Sequence, residues 1–77
     1  SLTPTDVVLL KLLYTHINST VHKKDLMMAG WGNDEPQTSR YVDRVLVKIR
    51  KLLSKDPLLK VKTAWRVGIS LIRKEEA

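Results

Sequence analysis

Arg40, Arg44, Lys48 and Lys51 follow one another at intervals of four, four and three residues. On a helix turning about 100° per residue they fall within about 80° of one another. Val42, Leu46, Ile49 and Leu53 cluster within about 60° on nearly the opposite side. A helix with this pattern buries its aliphatic stripe and turns a row of cations outward. Such a row can donate charge-assisted hydrogen bonds to phosphates and, in a DNA major groove, to O6 and N7 of guanine. Tyr41 and Val45 stand beside it, where a phosphate or a thymine methyl would be in reach.

Other constellations carry less chemistry. His16 and His22 are six residues apart without a cysteine or a convergent carboxylate pair, so they do not make the three- or four-ligand set that zinc needs. Asp34 and Glu35 are adjacent in a polar stretch with no partner base. Met27-Met28 reads as core filling. No glycine-rich phosphate loop occurs. No enzyme, metal site or cofactor site is expected.

The 77 residues make one domain, which buries about 60% of its unfolded surface and has little room for an enclosed active site. The lack of cysteine excludes disulfides and thiolate metal sites and fits a reducing, cytoplasmic setting. The longest uninterrupted apolar run, Val7 to Leu10, is far short of the roughly 18 residues needed to span a bilayer. The chain opens on Ser1 rather than Met and reads as a piece of a longer protein. Charge is unevenly divided: residues 1–36 hold three Lys against four carboxylates, and residues 37–77 hold eleven basic side chains against four acidic ones. That second half is a concentrated positive field suited to a polyanion.

The elements that position the cationic row can be read from capping and periodicity. Thr3-Pro4-Thr5-Asp6 is a capping box with proline at the first helical position, so a first helix runs from about Pro4 to His16. Val7, Leu10, Tyr14 and Ile17 mark its apolar stripe, widened by Leu9 and Leu13. Thr20-Val21 forms a short extended connection. A second helix spans about Lys23 to Trp31, with His22 as a mediocre cap and Gly30 and Gly32 ending it. Residues 32–38 read as a loop, and the third helix runs from about Ser39 to Leu53. Val61 to Ile72 favours a hairpin around Trp65-Arg66, in which Gly68 supplies backbone freedom. The fold class is therefore mainly α with a small β hairpin.

Leu2-Thr3-Pro4-Thr5-Asp6, Trp31-Gly32, Ser39-Arg40-Tyr41-Val42-Asp43, Lys62-Thr63 and Val67-Gly68 occur in an order that resembles the effector domain of OmpR/PhoB-type response regulators. The resemblance covers nearly the whole chain. It implies a winged helix-turn-helix spanning 1–77, the C-terminal part of a longer regulator, whose usual N-terminal sheet is missing here. It implies double-stranded DNA at tandem promoter sites as partner and a homodimer on those sites. No membrane contact by the domain is expected, since the basic helix buries its apolar face in the core and leaves little to insert. By the same resemblance Arg40, Tyr41, Arg44, Val45, Val47 and Lys48 face DNA, with Lys51 continuing the row and Thr63 at a phosphate beside the wing. Trp31 either packs in the core or donates its indole N–H to a phosphate. The loop carrying Asn33, Asp34, Glu35 and Gln37 corresponds to a segment that contacts RNA polymerase in relatives.

The chain also departs from the family pattern. Trp65-Arg66 stands where the wing usually has Arg then Gly, so Arg66 is displaced by one position from the minor-groove arginine. Trp65 either stacks on sugar or packs on the hairpin. Arg44-Val45 differs from the usual pair, so base preference does not carry over. A second reading is a protein-interaction module, with the basic helix meeting an acidic partner and Val45, Val47 and Trp65 as anchors.

Overall fold

The computed structural model describes residues 2–64 and 67–74. Its elements, in chain order, are α1 (Pro4–Thr15), β1 (Thr20–Val21), α2 (Lys23–Trp31), α3 (Pro36–Leu53), β2 (Leu59–Ala64) and β3 (Gly68–Arg73). The strands form one antiparallel sheet in the order β1-β3-β2, with Thr20 opposite Ser70 and Lys62 opposite Ser70 from the other side. Thr20-Val21 is thus a sheet strand rather than a mere extended connection, and the expected hairpin is two-thirds of a larger sheet.

The first helix starts as its sequence dictates. Thr3 Oγ1 accepts the Asp6 N–H at 3.2 Å, Asp6 Oδ2 accepts the Thr3 N–H at 2.9 Å, and Pro4 opens the helix. After α1 the chain turns at Asn18, whose φ of 65° lies in the left-handed region that asparagine tolerates. This turn is stitched to the sheet: the Asn18 N–H donates to the Leu71 carbonyl, and its side-chain oxygen accepts the Arg73 N–H.

The core is formed by Leu9 and Leu13 of α1, Leu26 of α2, Val42 and Ile49 of α3, and Ile69 and Leu71 of β3. In α1 the buried line is Leu9 and Leu13, while Val7 and Leu10 are half-buried and Tyr14 is 60% exposed; Ile17, half-buried, lies beyond the end of the helix. The helix is apolar nearly all round, so periodicity alone does not fix which side faces inward.

Two boundaries differ from the sequence expectation. Helix α3 begins at Pro36, three residues before Ser39, because proline pre-sets the first helical φ and the Asn33 side chain closes the turn before it. Asn33 Oδ1 accepts from the Glu35 N–H at 3.2 Å and from the Thr38 hydroxyl. Gln37 therefore lies in the first turn of α3, not in a loop. Gly68 also works differently from the expectation. A Cβ there would overlap the Val21 carbonyl oxygen, so glycine is required for the close approach of β3 to β1.

Candidate nucleic-acid interface

The inner face of α3 is fixed by packing. Val42 and Ile49 are fully buried, Leu46 is nearly so, and Leu53 packs at the margin. This leaves Arg40, Arg44, Val47 and Lys51 on the outer face, all exposed. Among the described residues no carboxylate lies within ion-pairing distance of Arg40, Arg44 or Lys51.

The two flanks of that face are tied into the protein. Toward α1, Lys48 Nζ donates to Asp6 Oδ2 at 2.7 Å. Asp6 is only 3% exposed, and the Lys48 ammonium, then the Thr3 N–H, hold its carboxyl below the usual carboxylate value. Lys48 was expected in the outward row. It turns back because its position borders α1, where a buried carboxylate needs a cation. Toward the wing, Lys23 pairs with Asp43 at 2.7 Å, and the Arg50 guanidinium donates to the Thr63 hydroxyl. Thr63 is thus held by α3 itself.

Two further contacts seat α2 and the wing against this face. The rings of Trp31 and Tyr41 are 5.8 Å apart and tilted by 34°, and Gln37 Nε2 donates to the Tyr41 hydroxyl at 2.6 Å. Trp31 is half-buried and packs against the core cluster as well as beside Tyr41. His22 makes no cap hydrogen bond with its side chain; its Nδ1 lies 3.1 Å from the Val67 carbonyl oxygen and links α2 to the wing turn.

The three helices and three-stranded sheet, with a cationic α3 packed on α1 and α2, agree with the family comparison. The family model described as transcriptional regulatory protein, C terminal, matches residues 1–71. The chain belongs to this OmpR/PhoB-type family. Its winged helix is similar to the crystal structure of the DNA-binding domain of Bacillus subtilis CssR, with 32% sequence identity and a TM-score of 0.68. That match covers 92% of this chain and 77% of the CssR chain. No curated protein matches the sequence significantly. The OmpR/PhoB-type domain is a transcription-regulator module and not an enzyme.

In this effector domain the structure brings Arg40, Arg44, Val47 and Lys51 onto one face, with Tyr41 at its edge. Val45 is not on it. At 8% exposure Val45 belongs to the core, because α1 and α2 both pack on α3 and cover a wider arc than the aliphatic stripe alone. Asn33, Asp34 and Glu35 form the turn before α3, where Lys24 and Asp34 stand 3.7 Å apart. Trp65 and Arg66 lie outside the described residues. Arg50 was not singled out from the sequence: it falls outside the narrow cationic arc, three positions from Val47 and next to β2. Its nearness to the wing was the missing signal.

Proposed function

We propose that this effector domain binds double-stranded DNA sequence-specifically, with α3 in the major groove and the β2-β3 wing near the adjacent minor groove. The reading rests on one observation: Arg40, Arg44 and Lys51 project together from a helix whose other side is locked in the core, with no carboxylate within ion-pairing distance of them among the described residues. The likeness to the CssR DNA-binding domain supports it. Arg40 and Arg44 are the base-reading candidates, and Lys51, Arg50, Thr63 and Tyr41 are the backbone-contact candidates. Trp31, packed beside Tyr41, is a further backbone-contact candidate through its indole N–H.

Tandem promoter sites, a homodimer on them, and RNA polymerase contact through the Asn33–Glu35 turn belong to the same reading and rest on the family alone. The alternative of a protein-docking module is weakened, since Val45, one of its three anchors, is in the core.

Sites selected from a random duplex library, followed by titration at several salt concentrations, test the proposal. A contact with ~6 phosphates gives a slope of log affinity against log salt of about −5. Sequence preference over scrambled duplex is expected at each salt. Equal affinity for selected and scrambled DNA, or binding with no salt dependence, would end it.

A further inference from the structure

Val47 is 54% exposed on the outer side of α3, part-way along the cationic row. Arg40 and Arg44 stand seven and three residues before it and Lys51 four after it, so all three flank it on one side of the helix. Single exposed aliphatic residues are ordinary on protein surfaces. Here it is the position that carries meaning. The surrounding cations have stems long enough to reach phosphates or guanine edges on either side, whereas valine is short and has neither donor nor acceptor. Set among them along the helix axis, it would face base edges in a major groove, where the one apolar group is the C5 methyl of thymine. A polar base edge pressed against it would lose its water without gaining a partner. Val45, the other aliphatic candidate, is buried and cannot take this role.

We infer that Val47 determines specificity by packing on a thymine methyl in the major groove; this rests on the DNA-binding reading above. The test begins with the selected duplex and replaces each thymine in turn by deoxyuridine, which removes only the methyl group. For the unaltered domain, one such replacement in each half-site is expected to weaken binding about fourfold, the effect of one buried methyl. In Val47→Ala that sensitivity disappears, and circular dichroism should show the fold unchanged, since alanine is the better helix former at an exposed position. In Arg44→Ala binding weakens but the fourfold methyl effect remains. The inference is overturned if a duplex is bound with clear sequence preference while no deoxyuridine position matters, or if the sensitivity persists in Val47→Ala. A domain with no preference among duplexes would remove the DNA-binding reading first, and this inference with it.

Discussion

The ammonium of Lys48 lies 2.7 Å from Oδ2 of Asp6, so a cation of α3 is anchored to the capping box that starts α1. One carboxylate thereby caps the start of one helix and holds a second helix in place. Its ionised form is stabilised in the fold by both partners.

Asp6→Ala is expected to cost about 1–3 kcal/mol, combining loss of the cap with loss of the tie to Lys48. In a domain of this size each kcal/mol moves the melting midpoint by about 4–8 °C, so thermal denaturation reads the change directly. The pH dependence has a definite sign. The carboxyl of Asp6 titrates below its ordinary value of 3.8 in the fold, so its contribution is complete above that pH and is lost as the pH falls from there toward the lowered native value. Asp6→Asn should flatten this acid limb. An identical acid limb in the variant would show that Asp6 contributes nothing to it.

Lys48 and Lys51 should separate in DNA titrations. Lys51 is unpaired among the described residues, so Lys51→Ala is expected to make the salt slope shallower by about one. Lys48 is committed to Asp6, so Lys48→Ala should lower thermal stability and change the slope less. Fluorescence anisotropy at four or five salt concentrations measures both slopes.

For Arg44→Ala the expected loss is about 1–3 kcal/mol of binding to the selected site, with relaxed preference at one base position. Gel shifts on selected and scrambled duplexes check this, and an equal loss on both would assign Arg44 to phosphate contact instead.

Val45 and Val47 are two residues apart and should behave oppositely in urea denaturation. Val45→Ala opens a gap in the core and is expected to destabilise by about 1–3 kcal/mol. Val47→Ala removes exposed surface and should stay within about 0.5 kcal/mol of the original.

Gly68→Ala should be more damaging than Gly32→Ala. The first places a methyl group against the Val21 backbone and forces β1 from β3, while the second meets open space and costs about 1 kcal/mol for a φ of 73°. Midpoints in the same denaturation series rank the two.

Much of this arrangement was legible beforehand. The capping box, the spacing of Val42, Leu46 and Ile49, and the run Lys23 to Trp31 each encode their element locally, and all three stand as read. What escaped depends on neighbours distant in sequence. Val45 is buried by helices that the wheel does not contain, and Lys48 is redirected by a carboxylate 42 residues earlier. The link between Arg50 and Thr63 needs the sheet to be in place before it can be seen. Thr20-Val21 is too short to announce itself as a strand until Ser70 and Ile69 lie beside it.

The sheet order β1-β3-β2 sets how this domain comes together. The strand in the middle, β3, joins residues that are fifty positions apart and supplies Ile69 and Leu71 to the helical side. The helices alone would leave that side open to water, so closure of a long loop must coincide with completion of the interior. Amides of α1 and β3 are accordingly expected to exchange with solvent at one common rate, through a single cooperative opening, and a chain cut after Ala64 should fail to hold even its helices.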